Sequence, residues 1–296
     1  MKKLLILIFL GYIFNLNAQQ TKDIKKIQTK FTDGWNSTPA LGITKGDYYS
    51  AESKFGRGEQ HLGILEVVIN SDKIVMVEFN EIGRADYHTV AYQNQLKRNS
   101  EYNFMMGEIG GSSWIQGVLL AEKQVIENQN LVTKLDYVAG ATETIVQGFE
   151  PLAKIVNDEI KKGTNKKFYR ISEDLGGGIT GVLDVILENG KIISCMYDEI
   201  FADSKDKIEN PKLKKYYRVS KYESILYKED SKVGFRYQMN KLNERVVETQ
   251  DLFNIKGLPA TERTKDYLKN PSYNNYIELA KKLYEELKKD KVLKNQ

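Results

Sequence analysis

The sequence predicts an α+β protein made of two tandem copies of one unit, an antiparallel sheet covered by helices. Three observations predict it. The chain repeats itself, with LGILEVVINSDKIVMVEFNEI at 62–82 answered by TGVLDVILENGKIISCMYDEI at 180–200 at a constant separation of 118 residues. Each copy of this block reads as a β-hairpin, because apolar residues alternate on both sides of a short polar turn. Each block is then followed by longer stretches with helical spacing, an order of strands before helices that belongs to the α+β class.

The elements follow in order. The first hairpin is expected over Gly63 to Asn70 and Lys73 to Asn80, with Leu65, Val67 and Ile69 on one buried face. The second is expected over Gly181 to Glu188 and Lys191 to Tyr197, where Asn189-Gly190 is the stronger turn signal. A mostly helical region spans about Thr89 to Asn128, a short strand lies near Leu131 to Leu135, and an amphipathic helix runs from Ile145 to Lys161. The similarity continues downstream: Trp114 aligns with Phe235, Val125-Ile126-Glu127 with Val246-Val247-Glu248, and Phe149-Glu150-Pro151-Leu152-Ala153-Lys154 with Tyr276-Ile277-Glu278-Leu279-Ala280-Lys281. Matches in one order across the chain indicate a tandem duplication. The division is placed at 1–18 for a signal peptide, 19–45 for an N-terminal linker or helix, 46–163 for the first unit and 164–296 for the second.

Met1-Lys2-Lys3, the apolar run Leu4 to Phe14 and the small residue Ala18 have the form of a secretory signal. Removing it takes Lys2 and Lys3 and leaves 42 basic against 40 acidic residues, a balance that points away from nucleic acid. Cys195 is the sole cysteine, so no intrachain disulfide forms, and its apolar alternating surroundings mark it as a core residue. His61 and His88 are too few and too scattered to suggest a metal site. No general acid–base pair and no nucleophile–histidine arrangement is visible, which argues against a secreted hydrolase.

The stretch most informative about function is Asp136-Tyr137-Val138-Ala139-Gly140-Ala141-Thr142-Glu143-Thr144. It is small, glycine-bearing and hydroxyl-bearing, and it feeds a helix. Open backbone N–H groups and the positive end of a helix dipole suit a phosphate at such a point, here the amides of Glu143, Thr144 and Ile145. Asp136-x-x-Ala139-Gly140-Ala141-Thr142 resembles the flavinylation motif of the FMN-binding domain family, written D-x-x-[ST]-G-A-T, with Ala139 where Ser or Thr is usual. That family includes the flavin subunits of sodium-pumping NADH:quinone reductases and of Rnf-type complexes, and secreted flavoproteins of extracellular electron transfer.

The resemblance implies FMN joined through its phosphate to Thr142 by a FAD:protein FMN transferase. The chain would be that transferase's substrate and an electron carrier rather than a catalyst, exchanging electrons with a donor and an acceptor outside the cytoplasm, in the periplasm or beyond it. It implies a cofactor site of Thr142, Ala141, Gly140, Asp136, Ala139 and Thr144, with Trp114 and Tyr137 as the two aromatic candidates to stack on the flavin ring. Trp114 follows Gly110-Gly111-Ser112-Ser113, which would leave it room to reorient. The second unit carries an altered form, Gly257-Leu258-Pro259-Ala260-Thr261, with Ile255 six positions before Thr261 where the first motif has Asp136. Pro259 restricts the backbone where small, flexible residues are wanted, so Thr261 is expected to stay unmodified. The rival reading is a secreted binding or structural module that keeps the fold without a flavin.

Overall fold

The computed structural model describes residues 36–107, 111–230, 234–259 and 271–293. The signal segment expected at 1–18, most of the 19–45 linker, and Thr261 lie outside them. The architecture is α+β, with a single six-stranded antiparallel sheet in the order β3-β2-β1-β4-β5-β6. The strands are β1 (Gly42–Phe55), β2 (His61–Asn70), β3 (Lys73–Gly83), β4 (Lys166–Asp174), β5 (Ile179–Glu188) and β6 (Lys191–Phe201). The α-helices among the described residues are α1 (Trp114–Asn128), α2 (Glu150–Lys162), α3 (Ile225–Asp230), α4 (Phe235–Thr249) and α5 (Pro271–Lys289).

The repeat in the sequence is a repeat in space. Both hairpins close on two residues with positive φ, Ser71-Asp72 (50° and 60°) and Asn189-Gly190 (53° and 77°), as tight hairpin turns require. The register shifts in β2 between Val68 and Ile69 and in β5 between Ile186 and Leu187, again 118 residues apart. Gln129 and Gln250 both end their helices in the left-handed region. Each accepts from a strand N–H and donates back to the same residue's carbonyl, Gln129 at Ile74 and Gln250 at Ile192. Glu122 accepts from the Phe79 N–H, and Asn243 accepts from the Tyr197 N–H at the equivalent place.

Leu65, Val67 and Phe79 face α1 and α2, while Leu183, Val185 and Tyr197 face α4 and α5. The two cores lie on the same side of the sheet, because Tyr49 and Lys45 share a face of β1 and Lys45 stands opposite Tyr169. The other side carries Tyr48, Val68, Met76 and Phe168 together with charged residues. There Arg170 of β4 bonds both Asp184 and Glu78. Glu78 is on β3, three strands away, and neighbouring strands are about 4.8 Å apart. A direct bond therefore means the sheet is strongly curled.

Several expectations are corrected. The units expected at 46–163 and 164–296 are not laid out as two separate sheets: β1 pairs with β4 from Gly42↔Ser172 to Asp47↔Lys167. The segments after β3 and β6 also interlock, through Ser220 N–H to Asn99 O at 2.8 Å and Asn103 Nδ2 to Arg218 O at 2.9 Å. Strand β1 starts at Gly42, inside the expected linker. The strand expected at Leu131 to Leu135 does not form. Leu131 and Leu135 are both buried, but their segment forms no strand pairing and leads to Asp136, whose backbone is held by Gln124 of α1. Within the helical region expected over 89–128, α1 is α-helical, and 90–92 and 101–104 are single 3₁₀ turns.

Candidate functional site

The 136–144 stretch is clamped from several sides. Gln124 of α1 holds the Asp136 backbone in both directions, accepting from its N–H at 2.8 Å and donating to its carbonyl at 3.2 Å. Gly140 has φ of 101°, and a Cβ there would lie 2.6 Å from the Ser112 carbonyl oxygen. Only glycine fits this place. Ala141 is buried in a notch of α1, since a Cβ on Gly117 would come within 2.2 Å of the Ala141 Cβ. Gln116 and Ser113 cap the start of α1 reciprocally, which fixes the chain at Ser112.

The helix begins at Thr142. It passes through a π-helical turn, Thr144–Phe149, and continues as α2. Turns of this kind recur at functional sites. The first intrahelical bond runs from the Ile145 N–H to the Ala141 carbonyl at 2.9 Å. The N–H groups left without a helical acceptor are therefore those of Thr142, Glu143 and Thr144. This corrects by one residue the expected set of Glu143, Thr144 and Ile145. Thr142 is exposed, and its hydroxyl makes only a long bond of 3.4 Å to the Val138 carbonyl. Asp136 and Ala139 are exposed beside it. Tyr137 is 46% exposed, and its hydroxyl donates to Glu150 at 2.5 Å. That bond and the Glu150 charge raise the phenol above its ordinary pKa.

Trp114 does not take the mobile, stacking position expected of it. It is 1% exposed and meets Tyr102 edge-on with ring centroids 5.5 Å apart. Its contribution is made from below: Trp114 Nε1 donates to Thr144 Oγ1 at 3.2 Å, and Thr144 Oγ1 donates to Glu81 Oε2 at 3.2 Å. Glu81 is ion-paired with Lys97, which is fully buried. The Lys97 ammonium stands 4.5 and 4.1 Å from the ring centres of Tyr87 and Tyr102, and 3.0 Å from His61 Nδ1. Burial pushes Lys97 below the usual lysine range, with Glu81 opposing it. Burial also lowers the His61 pKa.

Trp114 and Thr144 were among the expected site residues, whereas Glu81, Lys97, His61, Tyr87 and Tyr102 were not. One signal was present: Glu81 recurs as Glu199 inside apolar repeats, and an acid kept in an apolar strand needs a buried partner. In the second half Lys221 is that partner, and Tyr197 and Asn275 also bond Glu199.

The residues present fit a phosphate-linked group on Thr142. The hydroxyl is exposed, its neighbours Ala139, Gly140 and Ala141 are small, and open N–H groups flank it at a helix start. Trp114 lies too deep to face a ring, which leaves Tyr137 as the exposed aromatic of the two candidates. Among the described residues no group of His, Cys, Asp and Glu could hold a metal ion, and no helix is long and apolar enough to cross a membrane.

No family model matches the chain, and no curated protein does. A solved structure, the CPE2226 protein of Clostridium perfringens, is 21% identical over 39% of this chain and 92% of its own, with a TM-score of 0.30.

Proposed function

We propose that the protein is an exported flavoprotein that carries FMN covalently on Thr142 and passes electrons between partners outside the cytoplasm. The observation that carries this reading is an exposed threonine hydroxyl at an open helix start, in a turn that only glycine at position 140 permits. Small neighbours give a FAD:protein FMN transferase access to that hydroxyl. The linking phosphodiester would carry one negative charge beside the N–H groups of Thr142, Glu143 and Thr144. Helix-terminal stabilisation of this kind is worth about 0.3–2 kcal/mol, enough to orient a covalently held group. When bound, FMN supplies the redox chemistry; this chain's residues attach it, place it and set the charge around it. Asp136, whose backbone is locked by Gln124, orders the approach to the turn. In this reading both halves descend from one FMN-binding-type unit, and the second, with Pro259 and Ile255 in its motif, carries no flavin.

The experiment is Thr142→Ala, with the protein co-produced with a flavin transferase. Covalent flavin fluorescence on a denaturing gel is expected to disappear while the thermal melt stays unchanged. Equal fluorescence in mutant and wild type would reject Thr142 as the acceptor.

A further inference from the structure

We propose that the second half holds a binding site for a small planar aromatic anion, a ring system bearing a carboxylate or a phosphate, in the cavity at the start of α4. This inference does not rest on the flavin reading. The cavity measures about 370 Å³ and is walled by Tyr227, Phe235 and Tyr237, with Lys221, Lys228 and Arg236 around them. Small-molecule pockets typically span roughly 300–1,000 Å³, mostly apolar with a few placed polar groups.

The cations differ in role. Lys221 is ion-paired with buried Glu199. Arg236 bonds Gln95 at 2.7 Å and lies 4.9 Å from the Tyr222 ring centre, with Glu223 3.8 Å away. Lys228 is exposed and makes no ion pair among the described residues. Phe235 is buried, whereas Tyr237 is 60% exposed. A bare phosphate would leave the rings unused, and a neutral ring would leave the exposed Lys228 ammonium unused. An anion on a flat ring uses both.

Comparison with the first half sharpens the point. Trp114 corresponds to Phe235, so Ile115 and Leu119 correspond to Arg236 and Asn240. Ile115 is fully buried and Leu119 packs against the same core, and the start of α1 is closed by the Ser113–Gln116 capping box. In the second half these apolar positions are polar. The helix there is preceded by Gly234 as N-cap, with φ of 63° and no side-chain cap, so its positive end adds to the charge of Lys228.

The test titrates the mature, full-length protein with 2-naphthoate, 2-naphthyl phosphate and the neutral 2-naphthamide, followed by calorimetry. At least one anion is expected to bind saturably and about tenfold or more tightly than the amide, as a charge-assisted contact implies. Lys228→Glu and Tyr237→Ala are each expected to weaken that anion about tenfold. Both positions are exposed, so the melting temperature should not move. Equal affinity for anion and amide, no saturable binding of any probe, or binding indifferent to both substitutions would overturn the proposal.

Discussion

Gly140→Ala probes the turn that presents Thr142. Two costs combine at this position. The backbone has φ of 101°, where a residue with a Cβ carries strain of about 1–3 kcal/mol. The new methyl would also stand 2.6 Å from the Ser112 carbonyl oxygen and 3.1 Å from the Met106 Cβ, and crowding of a packed site costs about 1–3 kcal/mol. The Ser112 oxygen cannot retreat easily, because Ser113 caps α1 next to it. The sum is about 2–6 kcal/mol if the turn holds, and less if the turn yields and takes Thr142 out of position. Gly163 supplies the control. It has φ of 77°, and a Cβ there would meet nothing within 4 Å, so Gly163→Ala carries the strain without the collision. Urea denaturation of both variants, with covalent flavin yield measured in parallel, separates the terms. Gly140→Ala is expected to be at least about 1 kcal/mol less stable than Gly163→Ala and to lose most of its flavin. Equal midpoints together with wild-type flavin yield would refute the argument that the glycine holds the acceptor in place.

Other outcomes follow from the same contacts. Lys97→Met leaves Glu81 buried without its counter-ion and is expected to destabilise by about 3–5 kcal/mol; Lys97→Met combined with Glu81→Gln should recover part of that loss in thermal melts. Gln129→Ala and Gln250→Ala each strip a strand residue of a matched pair of hydrogen bonds, so both should cost about 1–3 kcal/mol, and a large inequality would contradict the equivalence of the halves. Burial raises the Glu223 carboxyl to about 8, against the pull of Arg236. The folded state then binds this proton more tightly than the unfolded chain, so stability falls as pH rises from about 4.5 through 8, on the order of 3 kcal/mol between pH 5.5 and 8. Glu223→Gln should flatten that fall in denaturant titrations across the range. At the acid end, burial would raise the Glu78 carboxyl, but Arg170 and Arg98 outweigh it and hold it at about 2. Its contribution is present above about pH 4.5 and is lost as pH drops toward 2.

How much of this was legible in the sequence depended on local signals. The hairpins were legible because a buried face writes a period of two, and their turns carry Ser71-Asp72 and Asn189-Gly190. Strand β1 was not. Its sequence, Gly-Ile-Thr-Lys-Gly-Asp-Tyr-Tyr-Ser-Ala-Glu-Ser-Lys-Phe, has little β-propensity, and it is a strand because β2 and β4 flank it. The sharing of one sheet was hidden for the same reason, since pairing between halves leaves no mark on either half alone. In the site, Gly140 and Thr142 could be read from residue types. The placement of Trp114 could not: the glycines and serines before it suggest freedom, but its ring is fixed by contacts with Tyr102 and Thr144, which are remote in sequence. Lys97 was hidden likewise, because a buried lysine looks like a surface one until its partner is known.

The central claim is tested most directly by peptide mass mapping of the mature protein after co-production with a FAD:protein FMN transferase. An FMN-sized adduct is expected on the peptide containing Thr142 and on no other, with the peptide containing Thr261 at its unmodified mass. An unmodified Thr142 peptide from protein that the transferase had every opportunity to modify would contradict the account.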